Sequence, residues 1–473
     1  MSELVTLLGD DAIGVLRRDR SGRLTFVYDE TWRRKRDAVP LSLSMPLAAA
    51  EHGHAAVDAF LWGLLPDNER VLHAWAKQFH VSARSAFALL THVGEDCAGA
   101  VRFAQPHRAG EHAREGTGKV QWLGEKDIGD RLRTLQKDVT AWRSPGDTGQ
   151  FSLAGAQPKT ALLFDGKRWG VPSGRIPTTH ILKPGIPGLG AHAENEHFCL
   201  ALAGELGLPV VSSTIQHFDG EVAIVVERYD RVREGRRVVR VHQEDFCQAL
   251  AVRPEHKYEN DGGPGARSVT TLLRTSSRAP GEDVETFVQA LAYNWLIAGT
   301  DGHAKNYSVL LGAASKVRLS PLYDIASALP YPGPELRKLK LAMKIGSKYR
   351  IREIGPHEWR KLADDLGLDP EQWSRRSGAW PSESRTFRGR CWPASASRGS
   401  RTRRSHAWLK GRASGLASAR RACRVDGGET RVPPGAVQAR GDSPQGTLSS
   451  AASRLVMFGD PMPVTRSYPG PAS

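Results

Sequence analysis

The sequence predicts an α+β fold in two lobes, in which a small N-terminal α/β unit leads into a β-rich lobe that is followed by a helical one. Three observations carry this. Between residues 150 and 230, apolar and polar residues alternate around Asp165-Gly166 and Asp219-Gly220, dipeptides suited to tight hairpin turns. Beyond residue 240 the apolar spacing lengthens to that of helices, and after Trp373 it stops. A chain of 473 residues has room for two or three domains, since one core seldom organises more than about 250 residues.

The elements follow in order. Residues 1–105 read as the N-terminal domain. A hairpin is expected around Ser21-Gly22, and the spacing of Phe60, Leu61, Leu64, Leu65, Leu72 and Trp75 gives one helical stretch over residues 59–79. Residues 106–149 read as a linker and lead-in, opening with a polar, Gly- and His-rich stretch to residue 119. The main domain spans residues 150–374. Two strands flank Asp165-Gly166, a third ends at Lys183-Pro184, an amphipathic helix follows over residues 192–207 with Gly207 as its stop, and a second hairpin turns at Asp219-Gly220. Residues 242–252, 284–299 and 357–368 then read as helical.

Residues 375–473 are rich in Arg, Ser, Gly, Ala and Pro and poor in aliphatic side chains, so disorder is expected there. Two origins fit, a genuine basic tail or a frame-shifted terminus, and the other reading frames of the coding DNA distinguish them. The tail also explains the charge. The whole chain carries +15, but residues 375–473 hold 18 Lys+Arg against 5 Asp+Glu, leaving 48 against 46 before them. The earlier residues are therefore close to neutral, which argues against a nucleic-acid-binding surface there. Cys97, Cys199, Cys247, Cys391 and Cys423 are scattered without metal-ligand spacing, which disfavours zinc and a disulfide framework. No apolar run reaches the roughly 18 residues of a membrane helix, and the first residues lack a signal-peptide pattern, so a cytoplasmic protein without membrane contact is expected.

The chemistry concentrates in the main domain. An apolar helix breaks at Gly299-Thr300, and Asp301, His303, Lys305 and Asn306 follow before an apolar run resumes. The Asp-x-x-x-x-Asn spacing matches kinase catalytic loops, in which Asp accepts the substrate hydroxyl proton and Asn binds magnesium. A capped turn is the alternative. Asp324, in Pro-Leu-Tyr-Asp, stands where a second magnesium carboxylate belongs, or else caps a helix. Around Ser152 the small residues Ala154, Gly155 and Ala156 allow backbone N–H groups to approach phosphates, although a strand-leading turn has the same composition. Lys183 ends an apolar strand, as a phosphate-neutralising lysine does, and Glu194 or Glu196 on the next helix can pair with it. A snorkelling surface lysine is the alternative. Glu227, Arg228 and Tyr229 run from a buried strand into the helical half and offer backbone groups to an adenine edge. Each signal is weak alone. Their order is that of an ATP- and magnesium-dependent kinase.

At this point the sequence resembles the HipA family of bacterial toxin kinases, over roughly residues 1–374. The blocks that carry the likeness are SLAGAQPKTALL, THILKP, ENEHFCLALA, VERYDR, HQEDFCQAL, NWLIAGTDGHAKN, PLYDIAS and KLAMKIG, with LLPDNER and GEDCAGAV in the N-terminal domain. The resemblance implies a kinase-like fold and a serine/threonine-protein kinase toxin of a type II toxin–antitoxin system. It implies a protein substrate, such as an aminoacyl-tRNA synthetase, whose phosphorylation arrests growth. A helix-turn-helix antitoxin, HipB-like, is the implied partner, with DNA reached through it. By the same likeness Ser152 is an inactivating autophosphorylation site. Ala154, Gly155, Ala156, Gln157, Lys159, Lys183, Glu227, Arg228, Tyr229, His303, Lys305 and Tyr323 surround ATP, and Asn306 and Asp324 hold magnesium. His303 either takes part in the loop's chemistry or braces it. The tail departs from the family, whose members continue with ordered helices. Two other functions stay open: an inactive, antitoxin-binding corepressor, and a small-molecule phosphotransferase.

Overall fold

The structure, a computed structural model, describes residues 1–369 apart from 109–117, 145–146, 148–150, 236, 314–315, 332–334 and 336. The tail expected from residue 375 lies outside the described residues, as do Cys391, Cys423 and part of the expected linker.

The N-terminal domain is an antiparallel sheet covered by short helices. Strands β1 (Ser2–Leu8), β2 (Asp11–Arg18), β3 (Leu24–Tyr28), β4 (Glu51–His52) and β5 (Val101–Ala104) are ordered β4-β3-β2-β1-β5. The β2–β3 turn falls where expected: the Asp19 carboxylate accepts from the Ser21 and Arg23 N–H groups, and Gly22 takes a φ of +87°. Helices α1 (Glu30–Arg33), α2 (His54–Gly63), α3 (Glu69–Phe79) and α4 (Ala86–Val93) bury Phe60, Leu61, Leu72, Trp75, Leu89 and Leu90 in the core. The single helical stretch expected over 59–79 is instead two helices. Pro66 lacks the N–H that a continuing helix needs, and Asn68 caps α3 by accepting from the Arg70 N–H. The break releases Leu64–Asn68 to reach out of the domain.

The β-rich lobe is a six-stranded antiparallel sheet ordered β10-β11-β9-β7-β8-β6. Its strands are β6 (Val120–Leu123), β7 (Thr160–Phe164), β8 (Trp169–Pro172), β9 (His180–Pro184), β10 (Ser213–Phe218) and β11 (Glu221–Glu227). Both Asp-Gly hairpins are present, with Asp219 and Gly220 both at positive φ. Strand β6 and helix α5 (Glu125–Lys137) come from the region read as linker and lead-in; β6 is the sheet's edge, and α5 buries Ile128 and Leu132 with the sheet's apolar side chains. Helix α6 (His192–Glu205) follows β9, and Gly207 ends it at a φ of +87°.

Strands β12 (Arg231–Glu234) and β13 (Arg237–Arg240) form a hairpin before the helical lobe. Residues 242–252, read as helical, divide. His242–Asp245 is strand β14, and only Phe246–Ala249 is helix, α7. Strand β14 pairs with β15 (Ser308–Gly312), which pairs with β16 (Lys316–Leu319). That distant pairing overrides local helical spacing. The core of this lobe gathers around α8 (Ala266–Ser276), α9 (Pro280–Ile297) and α10 (Pro356–Leu366), with β17 (Lys340–Ile345) and β18 (Lys348–Arg350) beside them. Leu273, Phe287, Leu291, Val309, Leu319 and Trp359 are among its buried side chains. The Cys97, Cys199 and Cys247 side chains are buried, in keeping with inert thiols. No helix among the described residues is long and apolar enough to cross a membrane.

Candidate active site

A cleft of about 680 Å³ lies between the β-rich and helical lobes. On the sheet side, Lys183 stands one residue before the end of β9, its ammonium 2.8 Å from Glu196 Oε1 on α6 and 2.7 Å from Asp324 Oδ1. Of the two glutamates offered by the sequence, the helix turns Glu196 inward. Burial raises the Glu196 pKa, because a lone carboxylate would lose its hydration. Burial acts the same way on Asp324, but Lys183 and Lys159 outweigh it and hold that carboxyl below the usual range. Asp324 has a φ of +57°, a strained backbone for a residue with a side chain.

On the helical side, α9 ends at Ala298 in the left-handed conformation, which turns the chain into the Asp301 loop. The Asp301 side chain is 67% exposed, so an incoming hydroxyl can reach it. Its Oδ1 accepts from the Tyr258 hydroxyl at 2.6 Å, and its backbone carbonyl accepts from Asn306 Nδ2 at 2.8 Å. His303 is buried, its pKa lowered by burial, and it meets the Tyr258 ring edge-on at 5.0 Å. These contacts suit a brace. Tyr323 fixes the far end of the loop: its hydroxyl donates to the Lys305 carbonyl at 2.8 Å, and its ring stacks on Tyr229.

The phosphate-loop candidate, residues 151–159, closes the third side. Gly155 takes a φ of +101°, and a Cβ there would lie 2.5 Å from the Lys159 amine. Lys159 is buried, donates to the Ala154 carbonyl at 2.7 Å and lies over the Trp142 ring. Among the described residues no carboxylate forms an ion pair with it. Burial and the nearby Lys183 push its pKa down to about 8. Ser152 is fully buried, its hydroxyl donating to the Leu64 carbonyl at 2.7 Å.

Ala154, Gly155, Ala156, Gln157, Lys159, Lys183, Glu227, Arg228, Tyr229, Asp301, His303, Lys305, Asn306, Tyr323 and Asp324 all line the cleft; Ser152 does not. Two of the cations point elsewhere. The Arg228 guanidinium is buried against Asp230 at 2.8 Å and donates to Cys97 O at 2.8 Å, so it joins the N-terminal domain to the chain beyond β11. The Lys305 ammonium lies between Asp245 at 3.3 Å and Asp67 at 3.4 Å. Sequence reading missed four residues that support the site: Asp67 and Lys257, which line the cleft, and Asp96 and Tyr258 behind it. Asp96 alone takes Arg231 at 2.9 Å, Arg240 at 3.0 Å and the Thr178 hydroxyl at 2.7 Å. The proline interrupting the 59–79 pattern was the available signal for Asp67.

The oxygen-rich set suits magnesium. Asn306 and Asp324 offer hard oxygens to one cleft, and the ion usually takes one or two carboxylates plus phosphate oxygens. No cluster of three His, Cys, Asp or Glu side chains able to hold a metal exists among the described residues, so the remaining ligands would come from nucleotide and water. The Lys159 amine, without a carboxylate of its own, fits an anion: a polyphosphate beside it would favour its charged form.

Fold and site define a bilobal protein of the kinase class. A family model described as the HipA-like C-terminal domain matches residues 151–380, and another, the HipA N-terminal domain, matches residues 4–104. A candidate kinase of Sinorhizobium fredii, Y4mE, is 36% identical over 358 residues, 75% of this chain and 84% of the relative. The serine/threonine-protein kinase toxin HipA of Shewanella oneidensis is 30% identical over 377 residues, 76% of this chain and 82% of the toxin. A solved structure of the Shewanella oneidensis toxin–antitoxin system, HipA, HipB and operator DNA, matches with a TM-score of 0.68 and 28% identity, over 79% of this chain and 88% of that one. The chain belongs to the HipA family.

Proposed function

We propose that this chain is the toxin of a type II toxin–antitoxin system, a serine/threonine-protein kinase that moves the γ-phosphate of ATP to a protein substrate and so arrests growth in the cytoplasm. The observation that carries the reading is the Lys183–Glu196–Asp324 cluster sharing one cleft with the Asp301–Asn306 loop. In this reading Asp301 takes the substrate hydroxyl proton, and Asn306 and Asp324 hold magnesium through oxygen. Lys183, oriented by Glu196, and Lys159 neutralise nucleotide phosphates. Ala154 to Gln157 approach them through backbone groups. The backbone of Glu227 to Tyr229 borders the adenine, and Lys305 and Tyr323 keep the loop in shape. When bound, the nucleotide supplies the phosphoryl group and magnesium offsets the charge developing on its oxygens. A phosphate on Ser152 would add about two negative charges to the loop and repel the nucleotide.

Family membership supports the partner reading. A HipB-like helix-turn-helix antitoxin would neutralise the toxin and bring it to DNA, by analogy with the Shewanella oneidensis complex of HipA, HipB and operator DNA. An aminoacyl-tRNA synthetase is the proposed substrate class. The test is transfer of labelled phosphate from ATP with magnesium to cytoplasmic proteins. Asp301→Ala and Asp324→Asn should each lose at least about a hundredfold, the usual range for a positioned acid–base group. Full transfer in both variants would overturn the reading, and transfer only to small molecules would replace the protein kinase with a small-molecule phosphotransferase.

A further inference from the structure

Of the buried carboxylates that the mechanism does not use, Asp67 of the N-terminal domain is the one whose ion pairs reach the segments around Asp301. The Asp67 side chain is 8% exposed. Its Oδ2 is 2.9 Å from the Lys257 ammonium and its Oδ1 is 3.4 Å from the Lys305 ammonium. Lys257 precedes Tyr258, which donates to the Asp301 carboxylate. Lys305 precedes Asn306, which donates to the Asp301 carbonyl. The two lysine segments are also joined directly, by the Ala304 N–H donating to the Lys257 carbonyl. Both side chains that hydrogen-bond to Asp301 thus belong to residues adjacent in sequence to the lysines that Asp67 binds.

The same residue reaches the phosphate loop, but by its backbone. The Asp67 N–H donates to the Gly155 carbonyl at 3.1 Å, and Pro66 forms a parallel bridge with Gly155. Stability alone is a poor explanation for the carboxylate, because buried ion pairs are often replaceable by apolar groups without loss. A fixed link between two loops that must act together is a better one.

We propose that Asp67 is a positioning residue for phosphate transfer, through which the N-terminal domain orients Asp301 while holding the phosphate loop. The proposal rests on the kinase reading above. It separates two parts of one residue, with the carboxylate serving the Asp301 loop and the backbone serving the nucleotide side.

Asp67→Asn tests this in the full chain, because it removes the charge and keeps the backbone contact. With magnesium and ATP, the expected result is a fall in kcat of roughly 10- to 100-fold, the scale of a misplacement near 1 Å. Nucleotide affinity, read with a fluorescent ATP analogue, should change less than about threefold. Asp67→Glu should recover part of the loss. Tyr258→Phe should mimic it, and the double variant should fall no further than the worse single one. Amide exchange should rise at residues 301–306 but not at 152–156. A kcat within about twofold of the parent, or kcat and nucleotide affinity falling together, would overturn the proposal. So would unchanged exchange at 301–306, which needs no turnover and therefore decides the matter even if the parent protein transfers no phosphate and the kinase reading itself fails.

Discussion

Lys183 holds two carboxylates, one of them, Glu196, out of reach of water, so its removal should be felt twice. Lys183→Met leaves Glu196 buried without a counter-ion, at a cost of about 3–5 kcal/mol, and takes one positive charge from the nucleotide site. Chemical denaturation should show the first effect and nucleotide titration the second. Glu196→Gln should retain more stability, because the amide needs no counter-ion and can still accept from Lys183. A different buried carboxyl, Glu244, sets a pH dependence. It accepts from the Leu43 N–H at 2.7 Å and meets the Ser42 hydroxyl, and burial pushes its pKa up to about 8. The folded chain then binds this proton more tightly than the unfolded one. Stability from this group should therefore fall between pH 4.5 and 8, by about 1.4 kcal/mol per pH unit at most. Glu244→Gln, which copies the protonated form, should flatten that slope in thermal melts taken across the range.

At the scale of elements, residues 151–159 are pinned by contacts that no local pattern reveals. Ser152 donates to Leu64 through its hydroxyl and to Asp96 through its N–H, both acceptors lying in the N-terminal domain. Ser152→Asp would set a buried carboxylate against a carbonyl and should expel the segment, weakening nucleotide binding at least about tenfold, since such a charge is costly to leave unpaired. Ser152→Ala should lose only about 1 kcal/mol of stability and keep most nucleotide affinity. The local elements were legible in the sequence for a physical reason: Asp-Gly turns, the Gly207 helix stop and the Asp301 loop are written in neighbouring residues. Strand β14 was not, since His242–Asp245 becomes a strand only by pairing with the distant β15, Ser308–Gly312. Glu196 was offered together with Glu194, and only the three-dimensional phase of α6 separates them. Lys305 and Arg228 were expected at the nucleotide from the family resemblance, and both line the cleft, whereas the directions of their charges depend on Asp67, Asp245 and Asp230.

The whole molecule is built so that the N-terminal domain completes the kinase half. Asp96 and Asp230 hold three buried arginines, Glu244 takes groups from Ser42 and Leu43, and Asp67 reaches Lys257 and Lys305. A chain starting at residue 106 would leave those arginines without Asp96 and uncover the surface that the N-terminal domain buries. It should be recovered as aggregate, and co-expression of residues 1–105 should restore a soluble complex, as size-exclusion chromatography would show. The opposite end should matter differently. Ending the chain at residue 374 removes most of the net +15 charge, and retention on DNA at low salt should drop with it. The Asp96 cluster also has a consequence in time. Ribosomes add roughly 5–20 residues per second, so Asp96 leaves the ribosome on the order of ten seconds before Arg240 is made. During that interval the nascent domain carries a hydrated carboxylate and a half-finished interface. It is then that the growing chain is most open to a chaperone, and translation speed between codons 97 and 240 becomes a determinant of how much of the protein matures.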